Sequence, residues 1–297
     1  MRRVRACFLA LGLLLATLGA VSLTAEPLTE EQQAAVARRV EIYLRFLFAW
    51  GPETGVKVTS LRESALPGLY SAIVEVSRGE QRGEEVVFVS ADGRYLVRGD
   101  FYDTTQDPFA ETRQAVVIVG HPSKGPADAP VVIVEYGDFQ CSTCAELYPT
   151  LKKILAERKD VRVVYKDLPL THIHDWAMAA AVAGQCAFRQ SPEAFWRLHD
   201  FLFENQKQIT KDNLDVRLDA LAPVIGLRLE EFRACRTQEA TRATVDESLR
   251  EATDLGLRNT PSLFINARPL VGAQSYDAIL RLVEYEVYLH KQGSTPR

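Results

Sequence analysis

The spacing of apolar and polar positions divides the chain into a short N-terminal block and a longer C-terminal one. Over residues 30–50, Val36, Val40, Tyr43 or Leu44, and Leu47 recur at helical spacing, and Gly51-Pro52 ends the run. Short strand-like runs follow at 56–58, 70–76, 85–89 and 94–97, the last two joined around Asp92-Gly93, a strong hairpin signal. One helix followed by an antiparallel meander predicts a small α+β unit. It contains neither Cys nor His, so its expected role is scaffolding or dimerisation rather than chemistry.

Farther along, residues 116–119 read as a strand and residues 121–130 as a Pro/Gly-rich loop. Residues 131–136 form an apolar run of buried-strand type, a helix is expected from Cys141 to about Lys159, and residues 161–165 make a second buried strand. From about Asp175 to Leu255 the pattern is almost wholly helical, in segments 176–188, 195–203, 213–221, 229–236 and 241–255. A hairpin of residues 262–265 and 269–271 around Asn266-Ala267 and a closing helix over 276–290 complete the chain. Strand, helix, strand, helical block, hairpin and helix in that order imply an α/β domain.

The first residues fall outside both blocks. Arg2, Arg3 and Arg5 precede a continuous apolar run, residues 6–21, and Leu23-Thr24-Ala25 offers a small-residue cleavage position. Residues 1–25 therefore read as a secretory signal peptide or an uncleaved N-terminal anchor, and the rest of the chain as exported. The 297 residues suit two domains, placed at 26–112 and 113–297. With 47% hydrophobic and 25% charged residues the chain has globular composition, and its net charge of −4 without a Lys/Arg run argues against a nucleic-acid partner.

Apart from Cys7 in the leader, the cysteines are Cys141, Cys144, Cys186 and Cys235. An even count in an exported chain favours disulfide chemistry. Cys141-Ser142-Thr143-Cys144 is a CxxC, a pair that zinc knuckles also use. The second short-spaced pair a structural zinc site needs is missing, and recruiting His172 and His174 from a loop would be required. A redox role has a mechanism. A strand turning into a helix places Cys141 at the helix N-terminus, where unpaired N–H groups and the positive end of the dipole stabilise a thiolate. Cys141 is then expected to be exposed and nucleophilic, with Cys144 one turn deeper as the resolving thiol.

Two more positions sharpen this reading. Glu135 interrupts a run that otherwise demands apolar side chains; a buried carboxyl there has a raised pKa and can exchange a proton with the resolving thiol, whereas at a strand end it would simply face solvent. Thr260-Pro261 opens the 262–265 strand, a usual site for a cis peptide, and would present the Thr260 backbone to a substrate strand beside the CxxC.

The run from Glu135 to Cys144, the aromatic segment from Phe195 to Phe203 and the stretch from Asn259 to Asn266 resemble the DsbA-like thioredoxin-fold oxidoreductases over about residues 115–297, and Pro149 matches the kink proline of the thioredoxin active-site helix. The resemblance implies a thioredoxin fold with a helical insertion over about 171–255. It also implies a redox-active Cys141–Cys144 disulfide, Glu135 as buried acid, Thr260 and Pro261 as the substrate-binding cis-proline element, and no cofactor. Several members carry a second, structural disulfide in the insertion, which here would join Cys186 and Cys235; two inert buried thiols are the alternative. The aromatic segment is expected to be core, and His199 a packed helix histidine. Residues 27–112 are loosely similar to the dimerisation domain of DsbC-type isomerases.

The leading expectation is thus a periplasmic or otherwise extracytoplasmic thiol:disulfide oxidoreductase, with cysteine-containing exported proteins as substrates and a membrane redox partner that resets the dithiol. Ser142-Thr143 lacks the histidine that helps make the strongest oxidants oxidising, and Thr260 before the proline looks isomerase-like, so a DsbC-type isomerase or reductase, homodimeric through 26–112, is the alternative. A soft-metal module holding copper between Cys141 and Cys144 is an alternative of another class, but it leaves Glu135 and Thr260-Pro261 without a role.

Overall fold

The computed structural model describes residues 27–293, so the leader or anchor expected over residues 1–25 lies outside the described residues. The chain forms two compact units that meet between Tyr102 and Asp103. Among the described residues no helix is long and apolar enough to cross a membrane.

The first unit opens with α1 (Glu30–Leu47), started by a capping box in which Gln32 N donates to Thr29 Oγ1 while Thr29 N donates to Gln32 Oε1. The helix ends at Phe48, before Gly51-Pro52, and Ala49 takes a positive φ of 52°. Val36, Val40 and Leu44 form its buried stripe. They pack on an antiparallel meander of β1 (Thr54–Glu63), β2 (Leu69–Arg78), β3 (Gln81–Ser90) and β4 (Leu96–Arg98), whose inward residues include Val56, Tyr70, Val74, Val87 and Val89. Between β3 and β4, Gly93 supplies the left-handed φ of 67° and Asp92 accepts from Ser90 Oγ and Arg94 N, which closes the hairpin.

The second unit begins with the short α2 (Ala110–Ala115) and β5 (Ser123–Lys124), then β6 (Val131–Gly137), α3 (Ser142–Glu157) and β7 (Val161–Asp167). Five helices follow: α4 (Ala177–Gln190), α5 (Pro192–Glu204), α6 (Leu214–Val224), α7 (Leu229–Arg236) and α8 (Glu239–Asp254). The hairpin β8 (Ser262–Ile265) and β9 (Arg268–Val271) and the helix α9 (Tyr276–Lys291) close the unit. Its sheet has the order β5-β7-β6-β8-β9, with β6 and β7 parallel and the other pairs antiparallel. Asn266 and Ala267, at φ 45° and 74°, form the two-residue turn between β8 and β9, the left-handed pair that a tight hairpin needs. This is a thioredoxin-type α/β sheet with helices inserted between β7 and β8.

One expected element is absent. Residues 116–119 form no strand, because the sheet edge beside β7 is taken by Ser123 and Lys124. The segment is held by side chains instead: Val116 and Ile118 pack under the sheet, and the fully buried Lys166 Nζ donates to Val117 O at 2.7 Å and to Glu251 Oε1 at 2.6 Å. Glu251 also accepts from Val117 N.

Candidate active site

The central strand β6 is buried along almost its whole length, which carries Glu135 into the interior at 2% exposure. Past β6 the chain turns through residues 138–140, and the turn is organised by Asp138. Its carboxylate accepts from Gln140 N (2.7 Å) and Leu170 N (2.8 Å) and lies 2.7 Å from His174 Nδ1, while Cys141 N donates to Asp138 O. Gln140 ties the turn to the helical insertion, accepting from Trp176 N and donating to Asp175. With the turn fixed, Cys141 becomes the N-cap residue of α3, and its own carbonyl accepts from Ala145 N. Cys144 then lies one turn inside the helix, fully buried.

Both cysteines are free thiols. Their environments drive them apart. Cys141 is lowered from 9.0 to about 5, first by a hydrogen bond from Cys144, then by the Thr260 side chain and the amides of Cys144 and Thr143, with burial opposing. Those two amides belong to the first helical turn, where N–H groups have no carbonyl partner within the helix. Cys144 is pushed well above its ordinary value, chiefly by burial, with the bond to Cys141 and the nearby Glu135 carboxylate adding to it. Glu135 is raised from 4.5 to about 8 by burial and then by the charge on Cys141.

The Thr260-Pro261 peptide is cis, and both residues are buried against the CxxC. In the thiol form Cys141 Sγ donates to Thr260 O at 3.4 Å. This contact corrects one expectation: Cys141 is not openly exposed, retaining only 7% of its surface. Thr260 lies against its Sγ, and Gln206 donates to the backbone carbonyls of both Phe139 and Cys141. The Cys141 thiol thus lies among segments distant in sequence.

Cys186 in α4 and Cys235 in α7 are joined in a disulfide, with Cα atoms 5.7 Å apart. Among the described residues no group of three or more His, Cys, Asp or Glu is arranged to hold a metal ion, and His174 is engaged by Asp138. His199 is buried in an aromatic box of Phe139, Tyr165, Trp196 and Phe203. Asp138, Gln140 and Gln206 went unrecognised in the sequence. An Asp three residues before an N-cap is a turn signal that could have pointed to the first; nothing local marks Gln206.

Residues 119–285 match the family model described as "Thioredoxin", and residues 51–110 match that of the "Disulfide bond isomerase protein N-terminal domain". The "Na(+)/H(+) antiporter NhaA 1" of Salinispora arenicola is 32% identical over 156 residues, which cover 52% of this chain and 23% of that protein. The chain thus spans about a quarter of the length of the first curated relatives it matches. "Disulfide bond formation protein D" of Bacillus subtilis is 24% identical over 176 residues, 57% of this chain and 78% of that protein. The crystal structure of oxidised BdbD from Bacillus subtilis superposes with a TM-score of 0.53 at 24% identity, covering 58% of this chain and 95% of that one, a likeness of fold.

Proposed function

The chain belongs to the thioredoxin family through residues 119–285, and we propose that it is a thiol:disulfide oxidoreductase that forms or exchanges disulfides in exported, cysteine-containing proteins. The observation that carries this reading is the placement of two cysteines one helical turn apart: Cys141 at the N-cap of α3, where helix amides and Cys144 lower its pKa, and Cys144 fully buried, where desolvation raises it. A thiolate of low pKa is a good leaving group and a ready nucleophile, so it both accepts and releases a mixed disulfide.

In the oxidising direction a substrate thiolate attacks Cys141 Sγ of the Cys141–Cys144 disulfide. The S–S bond breaks, and Cys144 leaves as a thiolate and takes a proton from Glu135. A second substrate thiolate then attacks the substrate sulfur of the mixed disulfide, and Cys141 departs as a thiolate. The substrate has lost two electrons and the protein has gained them; a membrane redox partner would draw them off. In the reducing direction the same steps run backwards, with Glu135 as base. Thr260 O is the acceptor available to a substrate strand laid beside Cys141.

Isomerisation is the second reading, favoured by the match of residues 51–110 to an isomerase N-terminal domain. A homodimer through the first unit goes with it, and would shield the CxxC from an oxidase. The expected leader and the extracytoplasmic setting accord with both readings, because disulfides persist where the compartment is oxidising. Transport, suggested by the names of several relatives, is not carried over, because this chain matches only about a quarter of those proteins' length.

The test is refolding of a reduced and of a scrambled disulfide protein in parallel, in glutathione of known poise. Recovery from the reduced form alone marks an oxidase, and recovery from the scrambled form marks an isomerase. Equal, uncatalysed recovery with wild type and Cys141→Ser would defeat the proposal.

A further inference from the structure

A buried acid that exchanges a proton with Cys144 must itself exchange with solvent, and Glu135 is 2% exposed. A cavity of about 20 Å3 runs beside it, reached by Lys124, Tyr148, Lys152, His199 and Asp200. That volume accommodates one water molecule, provided the site supplies at least two polar partners. It supplies two that nothing else uses: among the described residues Glu135 Oε1 and His199 Nε2 are both buried without a hydrogen-bond partner, and both residues line the cavity. Leaving either unsatisfied carries the desolvation penalty of a buried polar atom without the bond that offsets it. The other ring nitrogen, His199 Nδ1, lies 3.2 Å from Asp200 Oδ1, and the Asp200 side chain is 27% exposed and 3.8 Å from Lys152 Nζ.

We propose that His199 and Asp200 are the proton exit of the site: one water held between Glu135 Oε1 and His199 Nε2 passes the proton outward, and Asp200 hands it to solvent. This rests on the redox reading of Cys141 and Cys144. With Nδ1–H donated to Asp200, Nε2 presents its lone pair to the cavity. When Cys144 must become a thiolate, its proton goes to Glu135, from Glu135 to the water, and from the water to Nε2. The imidazolium so formed releases its Nδ1 proton through Asp200. One proton leaves, no electrons move, and the reverse order delivers a proton when Cys144 is the leaving group. Burial in the aromatic box keeps the imidazolium transient, because desolvation lowers the His199 pKa against the pull of Asp200.

The other ionisable groups around Glu135 do not offer this route. Cys141 and Cys144 approach it from α3 and are the reactants, and Tyr165 on β7 is pushed far up by burial. Tyr148 OH is already engaged with Glu204 and Lys152. Lys124 and Lys152 also line the cavity and favour the ionised Asp200. His199 and Asp200 are therefore positioning residues for proton transfer, acting through Glu135.

The experiment is single-turnover reaction of the dithiol protein with a peptide disulfide, acid-quenched and weighed by mass spectrometry, from pH 5 to 9 in H2O and D2O. It separates formation of the mixed disulfide by Cys141 from its resolution by Cys144. His199→Phe, which keeps a ring in the aromatic box, and Asp200→Asn should leave formation unchanged. They should slow resolution on the order of tenfold near pH 6–7, less than the 10²-fold or more expected of Glu135→Gln. Neither should slow it further on a Glu135→Gln background, and added imidazole should restore resolution in His199→Ala. Resolution at the wild-type rate, pH profile and isotope effect in both His199→Phe and Asp200→Asn would overturn the proton exit while leaving the redox reading intact. A wild type that forms no mixed disulfide at all would overturn both.

Discussion

Glu135→Gln gives the sharpest thermodynamic test of the site. The carboxyl is raised from 4.5 to about 8, first by burial and then by the charge on Cys141. Gln is nearly isosteric with the protonated acid and cannot ionise. At about 1.4 kcal/mol per tenfold change in affinity for a proton, the difference between charged and neutral forms is roughly 5 kcal/mol. Below pH 4.5 the acid is neutral in folded and unfolded chains alike, and the stability that its protonated form contributes is fully present. As the pH rises through the window the unfolded chain gives up its proton while the folded chain keeps it, so this stability drains away until the folded carboxyl ionises near 8. Wild type should therefore match Glu135→Gln near pH 4.5 and fall behind it progressively up to about pH 8, by several kcal/mol. Asp167, raised to about 7 by its own burial, loses stability over much of the same range in both proteins, so only their difference reports on Glu135. The assay is denaturant unfolding of the oxidised proteins, in which the thiols do not titrate and burial, the larger cause, acts alone. A difference flat to within about 0.5 kcal/mol from pH 4.5 to 9 would refute the assignment, because surface substitutions rarely exceed that and a buried charge must.

Three further outcomes are expected. Because the hydrogen bond from Cys144 is the largest influence lowering Cys141, Cys144→Ala should move the thiolate absorbance titration of Cys141 upward from about 5, while Cys144→Ser, which keeps a donor, should hold it low; identical titrations would count against the pairing. Replacing both Cys186 and Cys235 by Ala opens a covalent loop with a sequence separation of 49, and should lower stability by about 4 kcal/mol in the chain-entropy model without changing the Cys141 titration. Unchanged denaturant midpoints would contradict it. Asp138→Ala strands the amides of Gln140 and Leu170 in the turn that positions Cys141; a loss of roughly 2–4 kcal/mol and faster hydrogen exchange at those two amides are expected, and wild-type protection there would show that the turn holds itself.

The positions legible in the sequence are those whose role follows from local pattern. Glu135 stands out because a carboxyl occupies a register where only apolar side chains belong, and the strand-to-helix pattern alone places Cys141 at a helix N-terminus. The hairpin at Asn266-Ala267 was equally local. What escaped depends on contacts between distant segments. The contacts that close in on Cys141 come from Thr260 at its Sγ and Gln206 at its carbonyl, more than sixty residues away on the chain, so the cysteine reads as open. Residues 116–119 have the composition of a strand, yet Ser123 and Lys124 occupy the edge they would need. His199 read as packing because its neighbours are aromatic, and it does pack; its second ring nitrogen faces a problem posed by β6, which no pattern within α5 can show.

The same contrast explains why the dipeptide between the cysteines is an incomplete guide to this site. Ser142 is exposed, and neither it nor Thr143 gives Cys141 a side-chain donor; Thr143 acts through its amide. The low pKa of Cys141 is built from the Cys144 thiol, two helix amides and the Thr260 side chain, of which only the first three lie in the motif. Substituting Ser142 or Thr143 by other neutral residues that keep the backbone N–H leaves every one of those contributions in place. Moving the Thr260 loop does not, and the loop is also the surface against which a substrate strand would lie. Thr260 O already accepts from the Cys141 thiol at 3.4 Å, so a strand laid along this loop would meet the nucleophile at the same residue.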